Sequence, residues 1–544
     1  MPPPARRRRP AAPESAPETV PSPYAARPWL ASYPEGVPDD YDFPAVPVTR
    51  LLDDAAASFP TGVALAFLGA TLTYRELREQ VDAFASALHG LGVGKGDRVA
   101  LVLPNCPQNV IAFFATLRLG AVVVQHNPLS TEAELQHQLA DCGATVVVCL
   151  DRVYPAVQAV RARTAVAQVV VTSLADYLPT ASRLSLLLPL RAARRRRADL
   201  VADLPKGAEV RQFTALVKGA GLPARQVPLD PRTDLALLQY TGGTTGVAQG
   251  AMLTHHNLVS DTYMNRLWDT EATAGKETTL AVLPLFHVYG LTVAMLNTVL
   301  LSGTLVLVPR FDVDRVLEAV DQHRPTLFPG VPPLFRALAD SPKAREHDLR
   351  SLRLCLSGAV KLPVDVQEQF SALSGARLVE GYGTTETSPS THCTPTTGEV
   401  RPGSIGVPLP GTLAKLVAQD DPSREVPVGE PGELAVSGPQ VFAGYWRSEE
   451  PPATTPDGYL LTGDVAVMSE DGWFTVVDRK KELIVAGGFN VYPSEVEAVL
   501  AALPGVVESV VVGVPDRYRG ETVKAFVVQT AGADLSEADV LEHV

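Results

Sequence analysis

Between residues 73 and 150 the chain repeats one unit three times: a helix-start signal, an amphipathic stretch, and a short unbroken apolar run. Thr73 and Glu76 have capping-box spacing, and Leu77, Val81, Phe84 and Leu88 then recur on one helical face. Gly90 and Gly92 end that helix, and the run VALVL follows at 99–103. The second unit runs from IAFFATLRL to AVVV, and the third from the Thr131/Glu134 capping box to ATVVV. Strands that are apolar on both faces and alternate with helices belong to a parallel sheet covered on both sides. The fold class that follows is α/β.

At 544 residues the chain is too long for one hydrophobic core, so at least two compact units are expected. From about 401 the pattern changes to short strands between Gly/Pro turns, which predicts antiparallel β structure. After Asp478 a helix (493–503) and the strands VVESVVVGV and ETVKAFVVQ predict a small α+β unit, with a junction at 478–481. The first residues, rich in Pro, Ala and Arg, read as a disordered tail without the apolar core of a secretory signal. The expected domains are a tail at 1–35, a large domain at 36–477 and a partial C-terminal domain at 478–544. The large domain is expected to hold doubly wound α/β subdomains and a small β-barrel-like subdomain.

A net charge of −13 gives no basic excess for a general nucleic-acid binder. Five cysteines without CxxC spacing, and no signal peptide, point to reduced thiols in a cytoplasm. The apolar stretch 294–308 contains Asn297, Thr298, Ser302 and Gly303 and is too short to cross a bilayer. Residues 183–200, RLSLLLPLRAARRRRADL, break the αβ rhythm. They read either as a surface insertion with a solvated basic face or as a peripheral contact with anionic lipid through 183–197 at the inner face of a membrane.

Two segments carry the chemistry. YTGGTTGVAQGAMLTHHN (240–257) follows an apolar strand; its small residues and hydroxyls leave backbone N–H groups free to surround an oxyanion. It does not match the Walker pattern GxxxxGK[ST]. EGYGTTETSP (380–389) follows the strand ARLV; Gly381 and Gly383 let the backbone pass near a planar ligand, and Tyr382 offers an aromatic face. In the same segment Thr385 offers a hydroxyl and Glu386 an oxygen ligand suited to magnesium. His287, between Phe286 and Val288, reads either as a packed imidazole in an apolar segment or as a site residue.

Taken together and in order, these segments resemble the acyl-CoA synthetase and luciferase superfamily of adenylate-forming enzymes, most closely bacterial long-chain fatty-acid–CoA ligases. YTGGTTG resembles its phosphate loop, GYGTTE its adenine and magnesium motif, and LPLFHVYG its acyl-pocket segment. FPGVPPL and LCLSGAVKLP resemble the pocket wall and adenine edge; GYLLTGD and DRKKELIVAGGFNVYPSEVE resemble the ribose and hinge motifs. The resemblance spans about residues 40–530.

It implies ATP, Mg²⁺ and coenzyme A acting on a fatty acid or another carboxylic acid. Thr241, Gly242, Gly243, Thr244, Thr245 and Gly246 would hold the β- and γ-phosphates. Gly358, Ala359, Gly381 and Tyr382 would form the adenine slot, next to Gly383 and Thr385. Glu386 would bind Mg²⁺. Asp464, with Arg479 beside it, would accept the ribose hydroxyls, a role suited to a carboxylate. His287 would lie beside the reacting carboxylate, and Lys481 would mark the hinge of the small domain. Gly487 and Gly488 would let the coenzyme A arm pass.

The pattern is departed from in three places. Gln249 and Ala248 stand where the family has lysine and proline, and Val360 and Lys361 replace the small residue and proline beside the adenine. The chain as given ends at LSEADVLEHV, inside the implied small domain, so the family's Gly-Lys segment is expected to be truncated and adenylation weakened. Three alternatives remain in view: an acyl-AMP ligase serving a carrier protein, an aryl- or dicarboxylate–CoA ligase, and a silent acyl- or nucleotide-binding homologue.

Overall fold

The structure, a computed structural model, describes residues 22–219, 227–241, 248–486, 489–516, 520–530, 532–533 and 535–543. Its first half is a seven-stranded sheet ordered Arg211–Gln212, Gln168–Thr172, Val146–Leu150, Arg98–Val102, Val122–Gln125, Leu235–Thr241, Gln249–Thr254. All neighbours run parallel except the last pair, a hairpin in which Thr241 faces Gln249. Both capping boxes form: Thr73 and Thr131 each accept from the backbone three residues on, and Glu76 and Glu134 reach back. The helix Pro107–Arg118 is buried on every side, which explains why its run shows no polar face.

A second sheet of nine strands is ordered Val407–Pro408, Ser390–Cys393, Arg377–Gly383, Leu354–Ser357, Leu327–Gly330, Thr278–Ala281, Thr304–Leu307, Val63–Phe67, Ala70–Thr73. Its six central strands are parallel, with antiparallel strands closing each side. The stretch 294–308 folds back inside this domain as helix, turn and the strand Thr304–Leu307. Among the described residues no helix is long and apolar enough to cross a membrane.

A third, antiparallel sheet follows: Leu413–Val417, Gly432–Ser437, Leu460–Met468, Phe474–Arg479. The last sheet contains Ile484–Ala486, Phe489–Val491, Val506–Asp516 and Gly520–Gln529, with the helix Pro493–Ala501 packed on it. The architecture is therefore a large α/β domain followed by a small α+β one.

One expectation is corrected. Residues 22–35 are no tail: Trp29 is 1% exposed, and its ring meets Phe474 edge-on at 6.2 Å. The Tyr24 hydroxyl donates to the Val426 carbonyl at 2.9 Å, and the Trp473 indole donates to Ser32 at 3.0 Å. Three aromatic rings in a Pro/Ala-rich context give this strap enough apolar area to offset the entropy of ordering it. All five cysteines are buried as free thiols.

Candidate active site

Parallel sheets collect ligands beyond the carboxyl ends of their strands, where the backbone turns away and leaves a crevice. Here the ends of strands from both large sheets, with the third sheet beside them, enclose a cavity of about 1000 Å³. Its wall brings together Thr241, His287, Gly358, Ala359, Gly381, Tyr382, Gly383, Thr385, Glu386, Arg479 and Lys481. Segments separated by more than two hundred residues thus share one space. Gly242, Gly243, Thr244, Thr245, Gly246, Gly487 and Gly488 lie outside the described residues. Thr241 and Gln249, the two ends of the hairpin that carries the Gly/Thr loop, both line the cavity.

At Gly383 the protein's own packing demands glycine. A Cβ on Gly383 would stand 1.7 Å from the Pro389 carbonyl oxygen, so only glycine allows the strand Arg377–Gly383 to pass the segment behind it. Ala359, at φ +69°, is held in the left-handed region and so stores strain at the cavity wall, where nothing relieves it but the surrounding fold.

Glu386 projects half-buried from the turn after Gly383, and its Oε1 accepts from the Tyr445 hydroxyl at 2.7 Å. Sequence reasoning missed Tyr445, which sits in an unremarkable GYW run. Among the described residues no three acidic, His or Cys side chains gather into a metal cage. Mg²⁺ takes one or two carboxylates and fills its octahedron with water and substrate phosphates. Glu386 is a donor of the right kind.

Asp464 has Arg479 beside it. It does not line the cavity; it lies behind it, 2% exposed, covered by two residues that do. The Tyr382 hydroxyl donates to Oδ2 at 2.5 Å and the Arg479 guanidinium reaches Oδ1 at 3.1 Å. Burial pushes this carboxyl above the usual carboxylate range, opposed first by the Tyr382 hydrogen bond and then by Arg479. One residue along, Lys480 pairs at 2.6 Å with Glu433, itself 4% exposed. Both residues before Lys481 are therefore tied to acids on neighbouring strands.

His287 faces the cavity, where solvent reaches it although protein surrounds it on most sides, and burial lowers its pKa. Its Nδ1 accepts from the Tyr289 backbone N–H at 3.2 Å. A nitrogen that accepts cannot carry the proton, so the neutral ring holds its hydrogen on Nε2 and offers a donor there.

The AMP-binding enzyme family matches residues 52–446. The chain belongs to this family. Its C-terminal domain matches residues 495–544. Over 517 residues the chain is 43% identical to the long-chain-fatty-acid–CoA ligase of Bacillus subtilis, covering 94% of this chain and 91% of that protein. It is 40% identical over 511 residues to the Escherichia coli O6:H1 protein of the same name, covering 92% and 89%. Among solved structures, ATP-bound MatB from Rhodopseudomonas palustris superimposes with a TM-score of 0.76 at 31% identity, covering 92% of both chains. A long-chain-fatty-acid-CoA ligase (FadD1) from Archaeoglobus fulgidus gives 0.71 at 25% identity, covering 94% and 96%.

Proposed function

We propose that this chain is an AMP-forming fatty-acid–CoA ligase that uses ATP, Mg²⁺ and coenzyme A. The observation that carries the reading is the single cavity onto which Thr241, Gln249, the 381–386 turn, His287 and Arg479 converge. A nucleotide triphosphate needs that set: small backbone donors for its phosphates, an aromatic wall for its base, and a carboxylate for its metal.

In this reading Thr241–Gly246 hold the β- and γ-phosphates, and Gly358, Ala359, Gly381 and Tyr382, with Gly383 and Thr385 alongside, receive the adenine. Asp464 takes the ribose hydroxyls once Arg479 swings aside. Glu386, held by Tyr445, is the protein ligand of Mg²⁺, which when bound neutralises phosphate charge that would repel the incoming carboxylate. The fatty acid's carboxylate attacks the α-phosphate, forming a mixed anhydride and expelling pyrophosphate; the coenzyme A thiol then attacks the acyl carbon and AMP leaves. His287, with its proton on Nε2, donates to the oxygen on which negative charge grows. The walls keep water from the anhydride, and the small domain turns at Lys481 between the two reactions.

The test is fatty-acid-dependent ATP–pyrophosphate exchange, followed by mass detection of the acyl-CoA. Glu386→Gln keeps an acceptor for Tyr445 but removes the charge. We expect it to lower exchange by about 100-fold with the fold intact; exchange at the wild-type rate in that variant would remove Glu386 from the reaction.

The reading extends to the source of the fatty acid. Leu184, Leu187, Leu188 and Leu190 stand 61%, 71%, 48% and 59% exposed. Beside them the helix Arg191–Leu200 carries five arginines and buries only Leu200. Arg197 pairs with Asp203 at 3.3 Å, and apolar side chains next to an arginine-rich helix match an anionic bilayer, in which such a substrate dissolves. Co-flotation with phosphatidylglycerol vesicles at low salt, abolished by Leu187→Ser with Leu188→Ser, is the expected result; no flotation of the wild type dismisses the contact.

A further inference from the structure

The segment that presents His287 is tied down from the other large sheet by two buried amides. Asn105, 2% exposed after the strand Arg98–Val102, donates to the carbonyls of Ala281 at 2.9 Å and Leu283 at 2.8 Å. It also accepts from the Leu285 N–H at 2.8 Å. Gln239, 5% exposed on the strand Leu235–Thr241, donates to the Phe286 carbonyl at 3.0 Å. Downstream the Tyr289 hydroxyl donates to the Leu356 carbonyl at 2.8 Å. A Cβ on Gly290 would lie 2.3 Å from the Pro284 carbonyl oxygen, so the turn between them is closed tightly.

The two amides differ in what they do for the fold. Every hydrogen bond of Asn105 spans the two sheets, and a structural role accounts for it. Gln239 uses only one end: among the described residues its buried Oε1 has no hydrogen-bond partner. Its neighbour across the strand pair, Gln125, likewise leaves Oε1 without one. A buried acceptor without a donor destabilises a fold, and an apolar side chain of the same length would fill the place without that defect. Stability alone therefore does not favour glutamine at 239. The contact it does make falls on the peptide that leads into His287.

We propose that Gln239 is a positioning residue for carboxylate activation: its amide fixes the Phe286 carbonyl and thereby the direction in which His287 offers its Nε2 hydrogen. This rests on the reading of the cavity as a fatty-acid-activating site. A general donor works only within a few tenths of an ångström and about 10–20° of its productive direction, so loosening one peptide before it is felt in the rate. The strand that carries Gln239 leads into Thr241, but its main-chain pairing with Gln249–Thr254 does not involve the amide, so the substitution leaves that end of the ATP site in register.

The experiment is a double-mutant cycle in fatty-acid-dependent ATP–pyrophosphate exchange, with Gln239→Met, His287→Ala and both together. Gln239→Met alone is expected to lower kcat by about 10-fold, with KM for ATP and Tm unchanged. In the His287→Ala background the same substitution is expected to change kcat no further, because the group it aims is gone. A merely structural glutamine slows both backgrounds equally, and that result, or no slowing in either, overturns the proposal. If Gln239→Met does not fold, Gln239→Leu, equally uncharged and equally unable to donate, takes its place in the cycle with the same outcomes. Absence of exchange by the wild-type chain with any carboxylic acid sinks the functional reading instead, which keeps the two failures apart.

Discussion

Tyr382→Phe removes one hydroxyl and leaves the ring on the cavity wall. The lost bond is the 2.5 Å donation to the Oδ2 of Asp464, whose side chain is 3% exposed. Arg479, the other partner, is 56% exposed, so solvent screens its pull and the tyrosine is the stronger support of the charge. A hydrogen bond to a buried carboxylate contributes about 1.5–3 kcal/mol, which is about 1–2 units of pKa. Burial already raises the Asp464 carboxyl, and the substitution raises it further. An acid whose pKa is raised in the folded state favours folding while protonated and disfavours it once ionised. The variant's loss of Tm should therefore be largest near neutral pH and should fade as pH falls through the raised pKa. Activity should show the matching sign: the acid limb of kcat/KM for ATP moves up by about 1–2 units, while the alkaline plateau falls much less. The assay is ATP–pyrophosphate exchange across pH for both proteins. A uniform loss at every pH, with the limb unmoved, refutes the idea that Tyr382 holds Asp464 ionised.

Gly383→Ala drives a Cβ to 1.7 Å from the Pro389 oxygen, so exchange activity should be lost and melting should shift down; a soluble, active variant contradicts the packing described. Gln249→Lys places a cation at an exposed position of the cavity wall, and a charge-assisted bond to phosphate should lower KM for ATP roughly fivefold, about 1 kcal/mol, measured by initial rates in low salt. Lys481→Pro fixes one backbone angle at the hinge, so one half-reaction should fail while the other survives; equal loss of pyrophosphate exchange and of thioester formation from supplied acyl-adenylate argues against a hinge there.

What local chemistry dictates was legible in advance. The capping boxes at Thr73 and Thr131 need only three residues each, and both formed. The convergence of 241, 287, 358–359 and 381–386 on one cavity was expected from motif order, although each motif alone was ambiguous. The strand Gln249–Thr254 was not foreseen, because the αβ rhythm implies crossovers and this strand returns by a hairpin. Trp29 was assigned to a tail because its partners, Gly472 and Phe474, lie more than four hundred residues away. Gly383 was read as room for a planar ligand; the fold adds a demand of its own, the Pro389 carbonyl behind the strand. Asp464 was read as a ribose acceptor with Arg479 beside it; the Tyr382 hydroxyl on its other oxygen is what the fold adds.

That covering joins two jobs the sequence kept apart. Asp464 is the group proposed to take the ribose, and Arg479, one of its two present partners, lies two residues before the proposed hinge. Lys480 is likewise held by the buried Glu433. The strand Phe474–Arg479 is thus pinned to the third sheet up to its last residue and one beyond, and the next strand begins at Ile484. On the proposed hinge, a turn of the small domain would fall in residues 481–483, between the strands Phe474–Arg479 and Ile484–Ala486. In the proposed mechanism, nucleotide that competes with Arg479 for Asp464 would loosen the anchor next to those residues, and departure of AMP would restore it. The proposal thus couples occupancy of the ribose position to freedom of the hinge through one carboxylate, a local means of keeping the steps of a two-step reaction in order.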